Sequence, residues 1–153
     1  MTVRPFVLGD RAAAKPLADG LHRLHTENRP DVFTGEEHPL FSEEAIRARL
    51  ADPRAISLAA EEDGTVIGYC FAEVRPRTGM KNVPALYIDD LIVAEPFRRR
   101  GVARALFDGA VRLAREQGAV RVDLTVWSFN GEAEAFYRSL GMTPQRTVYE
   151  KKL

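Results

Sequence analysis

The apolar and polar residues of this chain alternate between two periods, one typical of strands and one typical of helices. Runs with strand character, labelled β1 to β6, cover residues 2–8, 56–60, 66–74, 85–93 and 120–127, with a last run around 147–149. Runs with helical spacing, labelled α1 to α4, cover residues 10–27, about 43–51, 101–117 and 131–140. The pattern therefore predicts the order β1-α1-α2-β2-β3-β4-α3-β5-α4-β6.

Turn and cap residues sharpen these boundaries. Asp63-Gly64 predicts a hairpin between β2 and β3, and Gly118 stands where a helix ends in a left-handed residue. Asp10 is a candidate N-cap of α1. Apolar residues at helical spacing predict buried faces, made of Ala13, Leu17, Leu21 and Leu24 in α1 and of Val102, Leu106, Ala110 and Leu113 in α3. The crossover from β4 through α3 to β5 makes those two strands parallel in an otherwise antiparallel sheet, so we expect an α/β (α+β-like) fold.

Composition indicates one domain over residues 1–153. The chain has 153 residues, of which 45% are hydrophobic and 29% charged, enough for a full core. It contains no apolar run of about eighteen residues and no secretory leader at Met1-Thr2-Val3-Arg4-Pro5, so we expect no membrane partner and a cytoplasmic location. The 22 basic residues balance the 22 acidic ones, which makes nucleic acid an unexpected partner.

The single cysteine is expected to be structural. Cys70 lies between Tyr69 and Phe71 in an apolar run, and no other cysteine can form an internal disulfide with it. Zinc-type spacing of Cys and His is absent from the sequence, so we expect no metal.

A basic junction between β4 and α3 is the strongest candidate for chemistry. Arg98-Arg99-Arg100-Gly101-Val102-Ala103 joins a strand to a helix whose first N–H groups have no intrahelical partner. The helix macrodipole favours an anion there, and Arg104 adds another cation, so the junction predicts a phosphate-bearing cofactor. Neither G-x-G-x-x-G nor G-x-x-x-x-G-K-[ST] occurs, which excludes the usual dinucleotide and P-loop sites.

Two motifs of this chain resemble the GNAT acyl-CoA N-acyltransferases. Arg98, Gly101 and Ala103 match the family hallmark of Arg or Gln, two residues, Gly, one residue, and Gly or Ala. The stretch from Asn130 to Met142 resembles its later signature, which is met at Asn130, Ala133, Phe136, Tyr137 and Gly141. We identify the chain by this resemblance as a member of the family.

The resemblance implies a GNAT fold in which β4 and β5 splay apart and the pantetheine arm of acetyl-CoA lies between them. It implies that backbone groups of Leu91, Ile92 and Val93 pair with that arm. The pyrophosphate would lie on the amides of a run that begins after Arg98 and comprises Arg99, Arg100, Gly101, Val102, Ala103 and Arg104. The remaining implied cofactor-binding positions are Asn130, Ala133, Phe136 and Tyr137. Asn130 also suits an N-cap of α4, and Phe136 also suits a simple core anchor.

Acyl transfer to an amine needs a base for the ammonium and an acid for the departing thiolate. The resemblance implies that Tyr137 is the acid and that the backbone amide of Val93 polarises the thioester oxygen. Adjacent carboxylates inside an apolar strand are costly unless exposed or used, so Asp89 and Asp90 are base candidates. The resemblance favours Asp89 over Asp90, because several amine-acetylating members of the family carry an acidic residue at that place, and Glu73 is held in reserve. An exposed β-bulge or a salt bridge at Asp89 remains an alternative.

The implied function is an acetyl-CoA-dependent N-acetyltransferase in which a primary amine of a small molecule or protein attacks directly in a ternary complex. The alternative is a noncatalytic CoA-binding or interaction module. Substrate identity is expected to lie in residues 25–38, which include the Glu36-Glu37-His38 cluster, and in residues 75–83. His22 and His25 are expected on the surface. A homodimer is a candidate assembly, with contributions from Trp127 or the last strand.

Overall fold

The computed structural model describes residues 1–76 and 83–153. In those ranges four helices flank one five-stranded sheet of order β1-β2-β3-β4-β5. The elements are β1 (Thr2–Pro5), α1 (Arg11–Asn28), α2 (Glu43–Ala51), β2 (Ala55–Glu62), β3 (Thr65–Pro76), β4 (Pro84–Val93), α3 (Val102–Glu116), β5 (Arg121–Leu124) and α4 (Gly131–Ser139). Neighbouring strands are antiparallel except β4 and β5, which are parallel. This confirms the mixed sheet and the crossover through α3.

Local signals placed the turn between β2 and β3 and the end of α3 correctly. Asp63 and Gly64 both have positive φ, 51° and 76°, as a tight hairpin between β2 and β3 requires. Gly118 ends α3 at φ 83°. The Ser42 side chain accepts a hydrogen bond from the amide of Ala45 and caps α2 at 3.1 Å.

Helices cover both sides of the sheet and bury a separate cluster on each. On the α3 face, alternate strand residues such as Leu58, Cys70 and Leu86 pack against α3, where Leu106 is fully buried. On the opposite α1–α2 face, the core includes Phe6, Phe41, Ile46, Tyr69 and Phe71. The period of two along each strand sends neighbouring side chains to different helices.

The buried face of α1 differs from the prediction. Ala14, Ala18 and His22 are buried, whereas Leu24 is 38% exposed. The small alanine side chains face the sheet, and Leu17 packs beside them as a half-buried residue. The expected surface position of His22 was therefore wrong: its Nε2 lies 3.0 Å from the carbonyl oxygen of Thr34.

The predicted strand β6 is absent from the described residues, and β5 is shorter than predicted. Residues 143–153 form no strand, and Val148 and Tyr149 are 83% and 91% exposed. Strand propensity is realised only through pairing with a neighbour, and this segment instead contacts the fold through side chains. Glu150, for example, accepts a hydrogen bond from Arg29 at 2.8 Å.

A β-bulge interrupts β4 beside its centre. Phe71 pairs with Asp90 but Ala72 pairs with Ile88, so Asp89 is the extra residue. Further along, β3 and β4 approach closely at Gly68, where a Cβ atom would lie 2.8 Å from the carbonyl oxygen of Ile92. Gly68 therefore fixes how near β3 lies to the end of β4.

Asp10 does not cap α1 as the sequence predicted, but binds Arg4 and the backbone at the start of the chain. Its side chain makes no capping bond to α1. It accepts hydrogen bonds from the amide of Val7 at 2.9 Å and from two Arg4 nitrogens at 2.7 and 2.8 Å. The Arg4 guanidinium is the main reason that the pKa of Asp10 lies below its usual value.

We expect Asp10→Ala to lower the free energy of unfolding at neutral pH by about 2 kcal/mol, because it removes hydrogen bonds to a charged, buried carboxylate. Since the folded pKa is depressed, this stability is present above the unfolded pKa and is lost as pH falls through the folded pKa. Urea unfolding at pH 7 and at pH 3 measures both effects. Glu116→Ala is the control, because it removes an exposed ion pair with Arg112 and should change little. Equal stability of Asp10→Ala and wild type at pH 7 would contradict this account.

Candidate active site

A gap opens in the sheet between the second halves of β4 and β5. The two strands pair only from Ala85 with Arg121 to Ile88 with Leu124, after which β5 ends while β4 continues to Val93. This is the splay that the family resemblance implied. The gap can join the two faces of the sheet, since Leu91 packs toward the α3 face and Ile92 toward the α1–α2 face.

The N-terminus of α3 offers free backbone donors at the end of this gap. Arg99 and Gly101 have φ angles of 61° and 83°, which turn the chain into the helix. Within residues 1–76 and 83–153, no group accepts a hydrogen bond from the amides of Val102, Ala103 or Arg104. Such a cluster of N–H groups with the helix dipole behind it suits an anionic phosphate.

The arginine side chains around these amides have different partners. Arg98 Nε donates to the carbonyl oxygen of Val93 at 3.2 Å and so ties the loop to the end of β4. Arg100 pairs with Glu62 at 2.8 Å, and Arg104 reaches the carbonyl oxygen of Ser139 at 3.4 Å. Arg99 is exposed and forms no ion pair with any described residue. Arg99 and the weakly bound Arg104 are therefore the cations most available to a phosphate.

Tyr137 stands on α4, whose start is fixed by Asn130. The Asn130 side chain accepts a hydrogen bond from the amide of Ala133 at 3.1 Å, which shows the capping role. Tyr137 is half-buried against the α3-face cluster, and the ring of Phe136 lies 5.2 Å from its own. Burial, reinforced by Cys70 and Asp90, raises the pKa of the phenol, so it stays a neutral donor. Its hydroxyl donates to no described residue.

A cavity of about 890 Å³ lies beside the gap. It wraps around β5 and is also lined by residues 142–148 and 150. Among the predicted catalytic and cofactor-binding residues, only Tyr137 lines it, so the cavity meets neither Asp90 nor the free amides of α3. The cavity therefore touches the candidate site at the phenol of Tyr137. It is not the channel that was predicted for the cofactor.

Asp89 is held between two guanidinium groups. Arg49 and Arg75 each donate to one of its carboxylate oxygens at 2.7 Å. Arg75 also pairs with Glu73, and its guanidinium carbon lies 4.2 Å above the ring of Tyr87. The bulge and the salt bridge left open by the sequence are thus both present at Asp89. Neither Asp89 nor Glu73 can take a proton from an amine without weakening an ion pair.

Asp90 faces the α1–α2 side of the sheet beside the gap. Its side chain is 14% exposed, and its Oδ2 lies 3.3 Å from Nε2 of His38. The amide of Leu40 is 3.3 Å from Nδ1 of His38, which assigns the imidazole proton to Nε2, toward Asp90. The amide of His38 donates to Asp19 at 3.0 Å and fixes the loop. Sequence reasoning placed His38 only among the specificity residues, because no spacing signal links it to Asp90.

Aromatic side chains join the α1–α2 connection to the segment after β5. Ring centroids of Phe33 and Trp127 are 5.3 Å apart, and those of His25 and Phe129 are 5.8 Å apart. The Arg29 guanidinium lies 5.0 Å from the Trp127 ring centre. These contacts fix residues that the sequence assigned to substrate identity. Of the other predicted specificity segment, residues 77–82 lie outside the described residues.

Cys70 is an inert thiol, as predicted. It is fully buried, and burial together with the charge of Asp90 raises its pKa to about 12. A thiolate is therefore not formed at neutral pH. In the described part of the chain, no group of three or more metal-binding side chains occurs, and no helix is long and apolar enough to cross a membrane.

Comparison with known proteins places this geometry in a family. The model of the acetyltransferase (GNAT) family matches residues 18–142. The uncharacterized N-acetyltransferase YhfO of Bacillus subtilis is 29% identical over 143 residues, which is 92% of this chain and 89% of that protein. Several other curated relatives are longer, and the matches span less than two thirds of their length.

Solved structures share the fold over the whole chain. A mutant of the BH1408 protein of Bacillus halodurans superposes with a TM-score of 0.93 at 25% identity, covering 100% of this chain and 99% of that one. The aminoglycoside acetyltransferase AAC(6')-Iy, solved in complex with a CoA-containing bisubstrate analogue, has a TM-score of 0.76 at 19% identity, covering 99% and 97%. At that identity, the second likeness concerns the fold alone.

Proposed function

Because the chain belongs to the acetyltransferase (GNAT) family, we propose that it transfers the acetyl group of acetyl-CoA to a primary amine of a small molecule or protein. The amine attacks directly in a ternary complex. The observation that carries this proposal is the gap between β4 and β5, with the free amides of α3 and Tyr137 on one face and Asp90 on the other.

On the α3 face, the amides of Val102, Ala103 and Arg104 bind the pyrophosphate, with Arg99 and Arg104 as counter-charges. The thioester then lies along Leu91 to Val93, where the amide of Val93 polarises its oxygen. Tyr137, which packs against the same cluster as Leu91, serves the sulfur.

On the α1–α2 face, the ammonium gives its first proton to Asp90, and the neutral nitrogen attacks the carbonyl carbon. The C–N bond forms while the C–S bond breaks, and the thiolate takes the phenol proton of Tyr137. The second proton leaves the nitrogen and restores the phenol, so the products are the amide and CoA with one proton released. We favour Asp90 over Asp89 as base, because two arginines already engage Asp89.

Calorimetry of acetyl-CoA binding tests the cofactor site. We expect micromolar binding of acetyl-CoA and CoA, little binding of ATP, and at least about tenfold weaker acetyl-CoA binding by Arg104→Glu because a cation near the phosphate becomes an anion. Arg112→Glu is the matched control, since Arg112 is an exposed arginine of the same helix that pairs with Glu116 instead. Absence of binding by the wild type, or equal weakening in both variants, would overturn the phosphate site.

We also propose that two copies form a homodimer through the edge of the sheet at β5. β5 is the last strand of the sheet, and the neighbouring residues 143–153 carry strand-forming but exposed side chains at Val148 and Tyr149. A second copy would cover them. Light scattering after size exclusion should give twice the mass of 17.1 kDa, and the monomer mass at micromolar concentration would refute the dimer.

With its one thiol buried, the chain suits the reducing cytoplasm, where we propose it works.

A further inference from the structure

A buried hydroxyl lies beneath the proposed amine site without a partner. Tyr69, in the middle of β3, is 0% exposed, and its ring packs 5.4 Å from Phe41 and 4.8 Å from Phe71. Within residues 1–76 and 83–153, nothing hydrogen-bonds its hydroxyl oxygen. Native proteins satisfy nearly all buried polar groups, often through an ordered water, so this hydroxyl requires an explanation.

Strand register places Tyr69 next to Asp90. Tyr69 pairs with Ile92 and Phe71 pairs with Asp90, so Tyr69 is the diagonal neighbour of Asp90 on the α1–α2 face. Aromatic ring contacts also place Tyr69 near Asp90. The ring of Phe41 lies between Tyr69 and His38, at 5.4 and 5.9 Å, and His38 contacts Asp90.

Two carboxylates, Asp90 and Asp19, act on this hydroxyl, and only one of them has an oxygen without a partner among the described residues. Both oxygens of Asp19 are used, by Lys15 at 2.6 Å and by the amide of His38 at 3.0 Å. His38 contacts Oδ2 of Asp90, whereas Oδ1 has no partner among the described residues. Burial, with the charges of Asp90 and Asp19, raises the pKa of the Tyr69 phenol, so the hydroxyl keeps its proton and acts as a donor.

We propose that Tyr69 is a positioning residue of the reaction: its hydroxyl donates to a water molecule that donates in turn to Oδ1 of Asp90. This deepens the proposed function and rests on it. The water accepts a proton from the ammonium and passes one of its own to Oδ1, so the amine becomes neutral, Asp90 becomes protonated and Tyr69 keeps its proton. The Tyr69 hydroxyl, Asp90 Oδ1 and the ammonium are the kinds of polar partner that hold an ordered buried water.

Tyr69→Phe removes only the hydroxyl oxygen and so tests the role with little disturbance of the core. We expect kcat to fall about tenfold, the scale of one hydrogen bond in a path to a charged group, while KM for acetyl-CoA and Tm stay unchanged. Ser57→Ala is the matched control. Its hydroxyl is the other buried one without a partner in the described chain. Ser57 pairs with Phe71 on the same face of the sheet but lies one strand further from Asp90 than Tyr69 does, so its loss should leave kcat unchanged.

A high-resolution crystal structure supplies a readout that needs no turnover. We expect a water within hydrogen-bond distance of both the Tyr69 hydroxyl and Asp90 Oδ1 in the wild type, and its loss in Tyr69→Phe. Absence of that water in the wild type, or an unchanged kcat for Tyr69→Phe in an active enzyme, overturns the inference. If the wild-type protein is inactive toward every amine, that result counts against the proposed function instead. The crystal structure still shows whether the water between Tyr69 and Asp90 is present.

Discussion

Asp90→Asn is expected to lower kcat/KM for the amine by at least about two orders of magnitude, the usual contribution of a positioned general base. The amide has nearly the same shape as the carboxylate and can still accept a hydrogen bond from His38, which lies 3.3 Å away. It cannot hold the proton that the ammonium must lose before it attacks. Initial rates of CoA release at saturating acetyl-CoA, measured against amine concentration, give the effect directly.

The matched control for Asp90→Asn is the same substitution at the neighbouring residue. Asp89→Asn weakens two exposed ion pairs, with Arg49 and Arg75, and leaves the proposed base in place. We expect its kcat/KM to stay within about threefold of the wild type, since exposed pairs contribute little. The reverse result, a large loss in Asp89→Asn and little in Asp90→Asn, would return the role of base to Asp89.

Tyr137→Phe is expected to lower kcat by about one to two orders of magnitude while acetyl-CoA affinity persists. The phenylalanine keeps the packing against the α3-face cluster but removes the only proton that the side chain can give to the thiolate. Because burial raises the pKa of this phenol, the donor form persists through neutral pH and the loss should be similar from pH 6 to pH 9. Steady-state rates and calorimetry on the same variant separate turnover from binding.

Tyr149→Phe controls for the loss of a tyrosine hydroxyl as such. Tyr149 is 91% exposed on the C-terminal segment and should be dispensable for turnover. If Tyr137→Phe turns over as fast as Tyr149→Phe and the wild type, then Tyr137 takes no part in the chemistry and water must protonate the thiolate. Loss of acetyl-CoA affinity in Tyr137→Phe would instead make the phenol a binding group.

Short-range signals in the sequence determined much of the architecture. The hairpin at Asp63-Gly64, the end of α3 at Gly118 and the cap of α4 at Asn130 each depend on backbone conformation or hydrogen bonds within a few residues, and each prediction was confirmed. The motif at Arg98 to Ala103 likewise lies within one junction, where the free amides follow from the start of a helix. Such features are readable because their cause lies inside the segment itself.

Only the tertiary structure decided which side chains meet. The bulge at Asp89 set which of the two carboxylates faces the amine side, and His38 reaches Asp90 from a loop that a hydrogen bond to Asp19 holds in place. Residues 143–153 have strand propensity but formed no strand, since a strand exists only where a neighbouring backbone completes its ladder. Strand register, helix rotation and loop placement are set by packing between distant segments. One residue's shift in any of them changes which face a side chain occupies, and no local pattern records that choice.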